Sequence, residues 1–146
     1  MSLLLDSSIL VKLVVNEKGS EDARETVKKY LREGYRLHTV DLALPEALNA
    51  LWKHVIIHTD LSENQAEHVI EDLQRIWVGL NAVSSHEVSY RAFQIAVNNR
   101  LTIYDSLFIA AAMCKSAKLF TADVKLFKAS EKYVNSLLLQ SNMNLN

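Results

Sequence analysis

Glycine, proline and cysteine are scarce. The 146 residues include 3 glycines, 1 proline and 1 cysteine, where average usage would give about ten glycines and seven prolines. Few turns are therefore encoded, and the chain reads as rich in helix. Gly19, Gly34 and Gly79 stand far apart. No glycine-rich phosphate cradle, of Walker or dinucleotide type, can be written from them. Lone Cys114 excludes an intramolecular disulfide and any cysteine-rich zinc site. It sits in an apolar run and reads as a small core residue. Net charge is almost absent: 16 Lys+Arg against 17 Asp+Glu leave a formal −1 at pH 7. That total gives no sign of a nucleic-acid partner. Long apolar runs are missing too. The longest uncharged one, Leu107 to Cys114, falls far short of the roughly 20 residues of a spanning helix, so no membrane association is expected. Met1-Ser2-Leu3-Leu4-Leu5-Asp6 lacks a basic region and Asp6 cuts it short, so it does not read as a signal peptide. A reducing cytoplasm is the expected compartment.

What is present is an ordinary soluble mix, 49% hydrophobic and 23% charged, of a size for one domain. Leu3-Leu4-Leu5 has no polar alternation, as in a strand buried on both faces. Asp6-Ser7-Ser8 can cap a helix over Ile9 to Val15. Ser20 is expected to cap a polar helix to about Arg32, with Gly34 as a stop. Arg36 to Val40 reads as a second strand. Pro45 fits the first turn of a helix to about His58, with Leu44, Leu48, Leu51 and Val55 as one stripe. Ser62-Glu63-Asn64-Gln65 has the capping-box pattern before a helix carrying Ala66, Val69, Ile70, Leu73, Ile76, Trp77 and Leu80. Leu80 to Ser84 is a weak third strand. His86 to Asn99 is amphipathic, and Asp105 to Lys115 is apolar on nearly every side, so it should lie deep. Lys118 to Thr121 is a strand, Asp123 to Lys128 a short helix and Tyr133 to Leu139 a last strand. The expectation is a single α/β domain over 1–140 with a mostly parallel sheet, and a polar, frayed tail at 141–146.

In open α/β sheets ligands bind beyond the carboxyl ends of the strands. Asp6 ends the first strand there, Asp123 follows the Lys118–Thr121 strand, Asp105 opens the buried helix, and Glu46 lies in a helical first turn among apolar neighbours. Each acid alone reads as a helix cap or a first-turn residue favoured by the dipole. Together at one edge they would repel and resist desolvation unless a cation neutralised them. Oxygen-only ligands point to Mg²⁺ or Mn²⁺, ions that activate water and assist phosphodiester displacement.

Leu5-Asp6-Ser7-Ser8 resembles the opening motif of PIN-domain ribonucleases. Pro45-Glu46-Ala47-Leu48-Asn49-Ala50-Leu51 is similar to their second acidic motif. Tyr104-Asp105-Ser106-Leu107-Phe108-Ile109-Ala110-Ala111-Ala112 is similar to the third and is the most specific. Thr121-Ala122-Asp123-Val124-Lys125-Leu126 resembles the fourth. Order and spacing match single-domain PIN proteins of the VapC toxin type over essentially the whole chain. The resemblance implies a three-layer α/β/α sandwich around a five-stranded parallel sheet and a metal-dependent endoribonuclease. Asp6, Glu46, Asp105 and Asp123 would hold Mg²⁺ or Mn²⁺. Ser7 and Thr121 would be polar helpers near the metal or its water, and Asn49 would support Glu46 from the next turn. It also implies an RNA substrate, a VapB-type antitoxin that fills the acidic site, and a homodimer.

Charge is unevenly spread. Lys115, Lys118, Lys125, Lys128 and Lys132 face only Asp123 and Glu131, a local +3, whereas 60–87 carries six acids against Arg75. The bland reading is two solvated faces. The functional one places Lys125 and Lys128 on RNA phosphates beside the metal. Arg24, Lys28 and Arg32 share a helix face. Trp52, Trp77, Tyr90 and Phe93 fit the core or a subunit contact better than base stacking. The first helix, with Val11, Leu13, Val14 and Val15, has apolar surface for a partner. His54 and His58 at i, i+4 have no third ligand in view and read as solvent-facing or core-edge. Ser7 has no Ser-His-Asp partner set. Two competing readings remain: a non-catalytic PIN-like module that binds RNA or protein, with the acids as structural caps, and a receiver-like phosphoacceptor domain. The second expects paired acids early in the chain, where Asp6 has only Ser7 and Ser8.

Overall fold

A computed structural model describes residues 1–140; the tail expected at 141–146 lies outside the described residues. Its elements are β1 (Ser2–Leu5), α1 (Ser7–Val14), α2 (Ser20–Arg32), β2 (Arg36–Val40), α3 (Ala43–Ile56), α4 (Glu63–Val78), β3 (Asn81–Val83), α5 (Ser85–Asn99), α6 (Ile103–Cys114), β4 (Lys118–Thr121), α7 (Val124–Ser130) and β5 (Ser136–Leu138). Leu3, Leu4 and Leu5 are wholly buried because β1 is the middle of a five-stranded sheet, order β3-β2-β1-β4-β5. Every pairing is parallel, with Leu4 against His38 on one side and Leu119 on the other. A right-handed path from β1 out to β3 puts α1 to α4 on one face. The return to β4 reverses direction, so the same hand puts α5 and α6 on the other. The packing agrees: α1 touches α2, α3 and α4, while α6 packs on α5 and on β1, β2 and β4. This is the expected three-layer α/β/α sandwich. No helix among the described residues is long and apolar enough to cross a membrane.

Most helix starts are written locally. Asp6 caps α1, Ser62 and Gln65 form the reciprocal capping box of α4, and Thr102 caps α6. Gly34, at φ +86, follows the end of α2 in a conformation that glycine adopts without strain.

Several expectations need correction. Ser20 is not the cap of α2; Gly19 holds that position. The buried Ser20 hydroxyl instead donates to Val15 O at 2.6 Å and accepts from Glu17 N at 3.0 Å, tying the loop together. The inward stripe of α3 is Ala43, Ala47 and Leu51, and Leu48 is exposed. Helix α6 begins at Ile103, so Asp105 lies within its first turn. Cys114 is exposed, since the buried run stops at Ala112 and the final turn of α6 emerges from the protein. Of the four aromatics expected in the core or at a subunit contact, Trp77 packs against the core, whereas Trp52, Tyr90 and Phe93 are exposed, so only the core half of that expectation fails for those three. Strand β5 starts late because the Tyr133 and Val134 amides both turn back to Ser130 O.

Candidate functional site

Sheet order reverses at β1. Strands β2 and β3 lie on one side of it and β4 and β5 on the other, which leaves a crevice beyond the carboxyl ends of β1 and β4. Asp6 leaves β1 into it, and Thr121-Ala122-Asp123 leaves β4. Asp6 is 4% exposed and its amide donates to Phe120 O, which fixes it across the β1–β4 pair. Its carboxylate accepts from Ile9 N at 3.1 Å and from the Ser8 hydroxyl at 2.6 Å, both at Oδ1. The Thr121 hydroxyl donates to Oδ2. Each hydroxyl also accepts a backbone amide of the β4–α7 turn: Ser8 from Ala122 and Thr121 from Asp123, both at 3.0 Å. Two hydroxyls therefore bracket one carboxylate and stitch the two strand ends together. Sequence reasoning missed Ser8 as a helper. Its partner lies 114 residues away, and only the strand order reveals it.

The acids repel one another where water is scarce. Burial pushes Asp6 up to about 6, against the lowering effect of Ser8, Thr121 and the Ile9 amide, and the nearby charge of Asp123 adds to the rise. Burial also raises Glu46, with Asp105 adding to it and the Ser7 hydroxyl offsetting it. Asp105 is raised by burial and by Asp123, while Lys125 and the Thr102 hydroxyl pull it down. Asp6 follows β1, Asp123 follows β4, Glu46 lies in the first turn of α3 and Asp105 in the first turn of α6, so all four start elements that leave the carboxyl edge of the sheet. Glu46 is half-buried on the first turn of α3, and its Oε1 is buried with no partner. Asp123 is exposed and caps α7 through Lys125 N and Leu126 N.

A cavity of about 400 Å³ opens onto this edge, lined by Ser7, Ser8, Glu46 and Asp123 among others. Asn49 is exposed and outside that lining. Lys125 and Lys128 are exposed on α7, with Lys125 near Asp105. The run of lysines over 115–132 is not one face. Lys118 starts β4, at the opposite edge of the sheet from Lys125, because the chain crosses the whole sheet between them. Arg24 is spent on structure: its guanidinium donates to Leu13 O and to Asn16 Oδ1. His54 is tied to Asp60, Nδ1 to Oδ1 at 2.8 Å, a partner that sequence spacing does not reveal.

The PIN domain family matches residues 3–132. The chain belongs to the PIN-domain family. Ribonuclease VapC3 of Pyrobaculum aerophilum is 36% identical over 126 residues, 86% of this chain and 92% of that protein. In fold, VapBC2 of Rickettsia felis bound to a DNA fragment from their promoter is similar at TM-score 0.70. It shares 16% identity, with 96% of this chain and 100% of that one covered. A toxin-antitoxin complex from Klebsiella pneumoniae is similar at TM-score 0.59 and 18% identity, covering 86% of this chain and 90% of that one.

The donor chemistry of this PIN domain fits a hard divalent cation. All four side chains offer oxygen, three of them are pushed toward protonation, and Glu46 Oε1 has no partner. Among the described residues no three His, Cys, Asp or Glu side chains already converge as a formed cage.

Proposed function

We propose that this PIN domain is a metal-dependent endoribonuclease, the toxin of a toxin–antitoxin pair, acting in the cytoplasm. The observation that carries the reading is Asp6: a carboxylate buried at the switch point, raised to about 6, with further acids beside it and no basic side chain bonded to it. Holding it there costs stability unless a cation balances it. Its VapC3 relative is named a ribonuclease, which supports the same chemistry.

Asp6, Glu46, Asp105 and Asp123 would hold Mg²⁺ or Mn²⁺. When bound, the ion supplies Lewis acidity that activates water and balances charge gathering at phosphorus. The protein supplies placement. Ser8 and Thr121 fix both oxygens of Asp6, and Thr121 also holds the Asp123 amide. Asp105 would join them from the first turn of the buried helix α6. Ser7, which lines the same cavity as Glu46, would orient it. Asn49 would steady Glu46 from the next turn of α3. Lys125 and Lys128 would take flanking phosphates.

Structures of a VapBC pair and of a toxin-antitoxin complex support an antitoxin partner. Exposed Trp52, Tyr90 and Phe93 offer surface for that partner or for a second copy of the chain in a homodimer. The alternative is a non-catalytic PIN-like module. It is favoured by one fact: Asp6 and Asp123 already serve as helix caps. An RNA-cleavage assay separates the two. Purified protein with Mg²⁺ or Mn²⁺ should cut RNA, chelation should stop it, and Asp105→Asn should lower the rate by about 100-fold or more with the fold intact. Undiminished cleavage by both Asp6→Asn and Asp105→Asn would rule out the assigned site.

A further inference from the structure

The cavity at the carboxylates does not end with them. Beyond Ser7, Glu46 and Asp123 its wall includes Lys12, Lys53, His54 and His58, with Glu17 among them. Lys53 and His54 follow Glu46 on α3 by seven and eight residues, about 10–12 Å along the axis at 1.5 Å per residue. That is beyond a phosphate held at the acids but within reach of the strand that carries it.

Glu17 stands in the middle of this basic wall. Its Oε1 lies 3.2 Å from Lys12 Nζ and its Oε2 lies 3.7 Å from His54 Nε2. Lys12 is steadied by Lys18 O at 2.8 Å, and His54 by Asp60 behind it. Glu17 thus pairs with the Lys12 ammonium and sets its other oxygen 3.7 Å from an imidazole that attracts it when protonated, inside an open cavity. The two free oxygens of a phosphodiester can take the same two places, one on the Lys12 ammonium and one beside the His54 ring. Lys53 and His58 line the same wall and form no ion pair among the described residues. They remain available to an incoming anion.

We propose that this basic end is a subsite for a backbone phosphate of single-stranded RNA, and that Glu17 fills it in the free protein. The subsite rests on the nuclease reading for its substrate class. A nucleic-acid strand repeats one anion at every residue, so a single strand serves both ends of the cavity. One phosphate sits at the cation-binding acids, and a neighbour sits on the wall formed by Lys12, Lys53, His54 and His58. To enter, the strand must displace the Glu17 carboxylate. Glu17 therefore opposes binding, although it lies in a site that favours anions.

The test is fluorescence anisotropy of a labelled single-stranded RNA octamer with the intact protein in EDTA, which silences the acidic end. Glu17→Gln should tighten binding by about 3-fold or more. The Lys53→Ala/His58→Ala pair should weaken it by about 10-fold and flatten the salt slope by about 0.7 for each phosphate left unneutralised. These side chains are exposed or at the cavity rim, and circular dichroism checks the fold of each variant. Unchanged or weaker binding by Glu17→Gln overturns the proposal. So does a poly-glutamate peptide that binds more tightly than the RNA and responds to the same substitutions. Normal RNA cleavage with an unresponsive anisotropy removes the subsite and leaves the nuclease. The expected anisotropy responses with no cleavage of any RNA keep the subsite and remove the nuclease.

Discussion

At the amino edge of the sheet, Lys118 begins β4 with its ammonium 5.4 Å from the Tyr30 ring centre and 5.6 Å from that of Tyr35. The two rings meet edge to face at 4.7 Å. The Tyr35 hydroxyl, and then Tyr30, push Lys118 up, so the charged form is favoured. At the carboxyl edge, at the far end of the same strand, burial pushes Asp6, Glu46 and Asp105 up, so the charged form is disfavoured. One edge relieves its charge and the other stores it. Both edges carry open cavities, of about 450 and 400 Å³. Volume does not distinguish them; the condition of the charge does. Acids held against the cost of their burial cluster at functional sites, which is why the carboxyl edge is the one proposed to work.

The comparison breaks most sharply at Asp6. Asp6→Asn should cost cleavage activity about 100-fold or more while making the cation-free fold more stable. The sign follows from the raised value. Asp6 titrates at about 6 when folded and 3.8 as a free side chain, so its stabilising contribution is complete below about pH 4 and is lost as pH rises through 6. Between those limits the wild type should lose on the order of 2–3 kcal/mol from this group. Glu46 and Asp105 act in the same direction. Urea unfolding at pH 4 and pH 7 in EDTA should show the drop in the wild type and a smaller one in Asp6→Asn. A drop of equal size in both would mean that the acid edge stores nothing.

Next in size is the bracket. Thr121→Val and Ser8→Ala each strip one donor from Asp6 and leave a backbone amide without its acceptor. Each should weaken Mn²⁺ binding about 10- to 100-fold and cost about 1–3 kcal/mol of stability, read by calorimetry and thermal unfolding. Smaller again is the basic flank. Lys125→Ala/Lys128→Ala should weaken RNA binding and lower its salt slope by about 1.4, at about 0.7 for each phosphate that a lysine no longer neutralises. An unchanged slope would return both lysines to ordinary surface. Smallest is the amino edge, where Lys118→Met should cost about 0.5–1 kcal/mol and leave RNA cleavage unaltered.

Much of this was legible in the residues. The uninterrupted Leu3-Leu4-Leu5 run announced a doubly buried strand, and the acids after β1 and β4 stood where a parallel sheet places its ligands. Caps such as Asp6 and Ser62–Gln65 are local and were readable for that reason. What escaped the sequence was long-range or depended on where an element ends. Ser8 meets Ala122 only because β1 pairs with β4. Cys114 belongs to an apolar run, yet the last turn of α6 passes out of the core. Periodicity showed that Tyr90 and Phe93 share spacings with apolar residues, but a stripe looks the same whether the protein itself or a partner covers it. The lysine run of 115–132 looked like one basic patch because counting along a chain ignores that β4 carries it from one edge to the other.

The carboxyl edge, on this account, stores charge for a cation. Calorimetric titration of Mn²⁺ into the cation-free protein at pH 7 tests that most directly. Saturable binding to the wild type is predicted, lost in Asp6→Asn and in Asp105→Asn while both remain folded. Heat that is absent from the wild type, or that is the same in all three proteins, would contradict it.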